Sequence, residues 1–159
     1  MMKTFNLATR RNSASRPDMI DRTIGLFARI PNDFIVLVGR ISIGAIFWLS
    51  GQTKVDGFSL SENAIELFRE DYKLPFVAPV IAATLAAIAE HVFPILLVVG
   101  LATRLSAAAL LGMTLVIQLF VYPGAWPTHG VWATVLLFIM ARGPGIISLD
   151  GLIRTWRVR

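Results

Sequence analysis

Residues 82–101, AATLAAIAEHVFPILLVVGL, decide how this chain folds. The run is long and apolar enough to cross a bilayer as a helix. It nevertheless carries Glu90 and His91 side by side near its middle. A charge in hydrocarbon costs at least about 2.5 kcal/mol, and residues of this kind usually face a bundle interior or a pathway. What Glu90 pairs with is therefore the first question the sequence poses.

Composition makes the same case for the whole chain. Of 159 residues, 55% are hydrophobic and only 16% charged, where a soluble domain carries about 25% charged residues. The mean hydropathy is +0.67. So little polar surface implies an integral membrane protein, and the length suits one compact bundle. Cysteine is absent, which excludes disulfides within the chain, thiolate metal sites, iron–sulfur clusters and thiol relay chemistry by its own side chains. The formal charge of +5 does not point to nucleic acid. Its basic residues flank apolar runs instead of forming a clustered face.

Outward from residues 82–101, the periodicity predicts four spans. The first is 34–50, where Arg40, Gly44, Phe47 and Gly51 share one helical face; small residues on that face allow close helix packing. The second runs from about 76 to 101 and contains Pro94, which frees the carbonyl of Glu90 and should kink the helix. The third is 105–121, with Thr114, Gln118 and Tyr122 along one face. The fourth, about 130–141, is short. Between the first two spans, Ser59 and Glu62 have capping-box spacing. Ala64, Ile65, Phe68 and Tyr72 then form an apolar stripe, so a short amphipathic helix is expected across the bundle's mouth. Upstream, Ile20, Ile24 and Phe27 suggest another amphipathic helix in the headgroup region, with Asp18 as its N-cap. Arg10-Arg11 is read as part of a cytosolic flank, not as an export signal, because no short apolar run with a cleavage site follows directly.

Lysine and arginine orient the bundle. Eleven lie on the N-terminal flank, in the turn between the second and third spans, and in the tail; three (Lys54, Arg69, Lys73) lie in the opposite loops. The excess places both termini in the cytoplasm. The expected fold is an all-α, integral membrane four-helix bundle, N-in and C-in, with a short amphipathic helix in the first extracytoplasmic loop. Residues 1–33 form a basic cytoplasmic flank, 34–153 the bundle and 154–159 a basic cytoplasmic tail.

Depth along the helices gives the candidate sites. At about 1.5 Å per residue, Arg40 lies about 9 Å from the inner end of its span and Glu90 about 20 Å from the outer end of its own. That puts the two at similar depth, so they are expected to pair, either as a strut between helices or as the polar floor of a pocket or proton path. His91 points about 100° away from Glu90 and reads as an interhelical hydrogen-bonding residue. With Gln118, these residues form the candidate intramembrane polar site. A bis-histidine haem on His91 and His129 is disfavoured, since His91 is expected about 22 Å below the end where His129 sits. A second candidate site is an outer pocket made by Gln52, Lys54, Asp56, Tyr122, Trp126, His129 and Trp132. Its aromatic rings and polar groups could hold a quinone headgroup, although Trp and Tyr also belong at a membrane interface for their own sake. No phosphate loop, catalytic triad or metal-ligand set is visible, and no residue is assigned a catalytic role. No cofactor motif is evident beyond this room for a quinone.

The segments RISIGAIFWLSGQTK (40–54), AEHVFPILLVVGLATRLS (89–106) and GPGIISLDG (143–151) together resemble the DoxX family of small four-span membrane proteins. The matching positions are Arg40, Gly51, Lys54, Glu90, Gly100, Thr103, Arg104 and Asp150. GQTK, REDYKLP, AEHVFP and YPGAWPTH look like the branch that accompanies copper-responsive systems. The resemblance implies a bacterial-type inner-membrane protein, oxidoreductase-like by label, in a redox- or metal-stress-associated system. Its partners would be the bilayer, with a docked protein or further copies of the chain as candidates. A small-solute or metal-complex transporter and a structural membrane anchor are the alternatives.

Overall fold

The computed structural model describes residues 19–157. The expectations for Arg10, Arg11 and Asp18 lie outside the described residues. The chain divides into two compact units between Ile30 and Pro31. In the first, α1 (Met19–Phe27) forms with Ile20, Ile24 and Phe27 exposed.

The second unit contains four helices long and apolar enough to cross a membrane: Asn32–Gln52, Pro79–Val99, Thr103–Val121 and Pro123–Arg142. Together they form an all-α membrane bundle. The first is α2 (Asn32–Gln52). It buries the face expected of it, with Arg40, Gly44, Phe47 and Gly51 all inside. Gly44 is there because a Cβ would lie 2.5 Å from Val98 Cγ2 of α4 (Pro79–Val99). No larger residue permits that approach of the two helices. Helix α4 runs unbroken through Pro94, which is buried.

Next come α5 (Thr103–Val116), extended by a π-helical turn at Ile117–Val121, and α6 (Trp126–Arg142). The core they share with α2 and α4 is Ile43, Phe47, Leu97, Ala107, Leu110, Leu136 and Ile139. Their lipid-side flanks carry exposed apolar residues such as Ile41, Leu85, Ile88, Leu105 and Leu137, as a helix in hydrocarbon requires. The fourth span starts earlier than the sequence pattern suggests. Pro127 occupies its first turn, where a missing N–H costs nothing.

The segment between α2 and α4 is richer than one amphipathic helix. Val55–Asp56 (β1) and Ser59–Leu60 (β2) pair as an antiparallel hairpin around Gly57 and Phe58. Ser59 is therefore a strand residue and not a helix cap. Ser61 caps α3 (Glu62–Leu67), its Oγ accepting from the Ala64 N–H at 3.2 Å. A π-helical turn, Phe68–Tyr72, follows, and Lys73 closes it in the left-handed region at φ 43°. Phe68 packs on Ala82 and Ala83 of α4, with Leu60, Tyr72 and Leu74 around them. The end of the bundle that carries this segment is called the hairpin end below, and the opposite one the arginine end. At the arginine end the chain finishes with α7 (Leu149–Arg157).

Candidate functional site

Helices α2 and α4 do not start and stop together. A Cβ on Gly51, one residue from the end of α2, would lie 3.1 Å from the Glu90 Cβ. Glu90 is thus level with the last turn of α2. The eleven α4 residues before it project beyond α2 and pack against α3 and the Phe68–Tyr72 turn. Arg40 sits eleven residues back along α2, about 16 Å below at helical rise.

This offset overturns the expected Arg40–Glu90 pair, because the depth estimate took both helices to begin at the same membrane level. Glu90 instead meets Lys54, which follows α2 by one turn of chain. Lys54 Nζ lies 2.7 Å from Glu90 Oε2, and both side chains are only 3% exposed. The ammonium donates to Ser50 O at 3.3 Å and Ser50 Oγ at 3.2 Å. Its approach to Oε2 closes a buried ion pair, the one polar contact made to that oxygen among the described residues.

Glu90 also lines a cavity of about 380 Å³ between α4, α5 and the Phe68–Tyr72 turn. The remaining wall is Tyr72 and apolar side chains, including Leu85, Ala86, Ala89, Met113 and Ile117, with Gly112 open beneath. Leu85 and Val116 are exposed on the bundle's flank, so the cavity reaches the lipid side. Burial, with Tyr122, Glu90 and Asp71 adding to it, pushes the Tyr72 phenol up to about 12. At neutral pH it is therefore an intact O–H donor. The Tyr72 ring stands edge-on to Tyr122 at 6.1 Å. A volume of this size is within the range of small-molecule sites, about 300–1,000 Å³, and an apolar wall with a few polar groups is their usual make-up.

Arg40 has a different role. Its Nε donates to Leu97 O at 2.7 Å, Nη2 to Val98 O at 2.6 Å, and Nη1 to Pro144 O and Ile147 O at 2.8 Å each. Two of these are late carbonyls of α4, which lack helical partners and gather the negative end of the helix dipole. The other two belong to the loop before α7. Gly100, at φ 75°, leaves room for the guanidinium: a Cβ there would lie 2.5 Å from Nη2 and collide with Ser148. Beside this, Asp150 accepts from the Ala102 N–H, the Thr103 N–H and Thr103 Oγ1, each at 2.9 Å. Burial raises the Asp150 carboxyl, but the bonds from Thr103 and Ala102 outweigh it and, with Arg40, hold it below the usual carboxylate range. Arg40, Gly100, Thr103 and Asp150 are thus one knot joining α2, α4, α5 and α7. All of its polar groups are answered within the chain.

The other expected site residues separate into pairs. His91 Nδ1 donates to Ala87 O at 2.7 Å, which leaves Nε2 to accept from Gln52 Nε2 at 2.9 Å. It joins α4 to α2 beside Gly51, level with the last turn of α2, and both ring nitrogens are in use. His129 Nδ1 donates to Gln118 Oε1 at 2.7 Å, and Gln118 Nε2 donates to Pro123 O at 2.6 Å. Gln118 therefore belongs with His129 rather than with Arg40 or Glu90. Trp132 lies 5.1 Å from the His129 ring and 5.7 Å from Phe47. Asp56 is in the hairpin, and Tyr122 and Trp126 are exposed. The expected outer pocket is accordingly not one cavity. Among the described residues, no three His, Asp or Glu side chains come together as a metal centre.

The sequence reading did not place Tyr72 at a site, and it placed Lys54 in the wrong group. The apolar stripe ending at Tyr72 is a signal for α3 and the Phe68–Tyr72 turn that packs on α4. Nothing in the sequence specifies the helix offset that brings Lys54 to Glu90.

A protein-family model described as DoxX matches residues 35–123, from α2 to the start of the turn before α6. No curated protein and no solved structure matches the chain.

Proposed function

The chain belongs to the DoxX family, and from that premise we propose that it is a membrane subunit of a redox-associated system that binds a quinone beside Glu90. One observation carries the reading: an apolar cavity of about 380 Å³ that reaches the lipid side and has Glu90 on its wall, paired with Lys54 and facing Tyr72. A lipid-soluble quinone enters such a site from the membrane. Its carbonyl oxygens need donors, which the Tyr72 hydroxyl on the cavity wall supplies; Lys54, outside that wall, holds Glu90 as a carboxylate. The hydroxyls of its reduced form need an acceptor, and the Glu90 carboxylate on the cavity wall supplies one. With no cysteine in the chain and the polar atoms of His91 and Gln118 engaged elsewhere, this chain's contribution is to bind and orient the quinone and to hold a proton beside it. Electrons would pass to or from a partner protein.

The family resemblance of GQTK and YPGAWPTH extends the proposal to a metal-stress setting in a bacterial-type inner membrane, both termini cytoplasmic. A transport path would need Arg40 and Glu90 to form one polar floor, and they lie about 16 Å apart along the bundle.

Protein purified in mild detergent should retain quinone, quantified after solvent extraction. The double variant Lys54→Met/Glu90→Leu, which removes both charges together, should retain several-fold less. Equal retention by the two proteins, or none by the wild type after reconstitution with added quinone, would overturn the reading.

A further inference from the structure

Helix α7 is inverted with respect to its own protein. Leu149, Leu152, Ile153 and Trp156 recur at i, i+3, i+4 and i+7 and form one face. All four are exposed, Trp156 by 77%. The opposite face, with Gly151, Arg154 and Thr155, borders a groove of about 720 Å³ shared with Asp33 and Arg142 of the bundle. Asp150, between the two faces, is tied to the start of α5. The polar side of α7 thus faces its own chain and the apolar side faces away. Water would not select that arrangement.

Position says what covers the apolar face. Only six residues, 143–148, separate α7 from the end of α6, a membrane span. Arg40 fixes that loop through Pro144 and Ile147, and the Asp150 N–H donates to Gly100 O at 2.8 Å, so the start of α7 is held at the membrane boundary. Charge adds a preference. The one acidic residue of α7, Asp150, is engaged by Thr103 and Ala102, whereas Arg154 and Arg157 have no carboxylate partner among the described residues. Arg142 sits nearby, over the Phe138 ring.

We propose that α7 is an interfacial anchor, with Leu149, Leu152, Ile153 and Trp156 inserted at the headgroup–acyl boundary of the leaflet at the arginine end, and with Arg154 and Arg157 selecting anionic phospholipid there. An amphipathic helix with basic residues beside an apolar stripe binds a membrane surface in this way. The anchor is independent of the quinone reading, because it uses the other end of the bundle.

The chain contains no cysteine, so single-cysteine variants of the full-length protein can be labelled cleanly. Leu152→Cys, Trp156→Cys and Thr155→Cys would each carry an environment-sensitive fluorophore in vesicles of phosphatidylcholine with or without phosphatidylglycerol. Labels at 152 and 156 should emit to the blue and be quenched several-fold more strongly by lipid-borne nitroxide than the label at 155. The contrast should grow with phosphatidylglycerol, and Arg154→Gln/Arg157→Gln should abolish that growth. Three equally water-exposed labels would overturn the proposal. So would protection at 152 and 156 that follows protein concentration at fixed lipid, which would mean that a second copy covers the face. Equal contrast in the two lipid mixtures would overturn the anionic preference.

Discussion

A buried charge persists only where its neighbours satisfy it, and this chain satisfies two of them by different means. Glu90 is answered by a single opposite charge, Lys54 at 2.7 Å. Breaking a buried pair by removing one partner typically costs about 3–5 kcal/mol, because the other charge is stranded; replacing both by apolar residues is often close to neutral. Lys54→Met should therefore lower thermal stability in detergent markedly, while Lys54→Met/Glu90→Leu regains most of the loss. Arg40 is answered by four carbonyls, which only the planar guanidinium fork can reach together. Arg40→Lys keeps the charge but has three N–H donors for four carbonyls, so it forfeits at least one of these bonds. At about 1.5 kcal/mol or more for each bond to a charged group, the loss is at least about 1.5 kcal/mol, read from the same melts.

The knot around Asp150 shows how elements distant in sequence are fastened. Ala102 precedes α5 with φ 48° and has no side chain able to cap it, so Asp150 supplies the acceptor from α7. A carboxylate held below its ordinary pKa in the folded state contributes stability above about pH 4, the unfolded value. That contribution disappears as pH falls through the lowered folded value. The wild type should thus lose stability in acid more steeply than Asp150→Asn, which starts less stable at pH 7 and responds to pH more weakly. Melting curves across acidic pH check this. GPGIISLDG was legible as a family signature, and its chemistry is now legible too: Pro144 and Ile147 give their carbonyls to Arg40, and Asp150 caps α5. The hairpin carried its own signal, Gly57 at φ 63° as the first residue of the two-residue loop Gly57-Phe58, the glycine-first pattern of a tight hairpin turn. The π-helical turns at Phe68–Tyr72 and Ile117–Val121 had none, since their extra residue per turn is set by packing and not by local propensity.

Hydropathy alone located all four spans, because hydrocarbon leaves the backbone no alternative to helices here. It could not locate the site. Helix length does not say how far one helix is shifted along another, and a shift of eleven residues turned an expected Arg40–Glu90 strut into a Lys54–Glu90 pair with Glu90 on the wall of a cavity. Gly112 offers the most direct test of what that cavity holds. It lines the space with nothing within 4 Å of where a Cβ would sit, and replacing a helical glycine gains up to about 1 kcal/mol of helix propensity. Gly112→Leu should consequently fill the cavity without lowering the melting temperature. The decisive measurement is quinone bound per protein after purification, wild type against Gly112→Leu. A stably folded Gly112→Leu that has lost its quinone is the predicted result; the same quinone content in both proteins would contradict a quinone site beside Glu90.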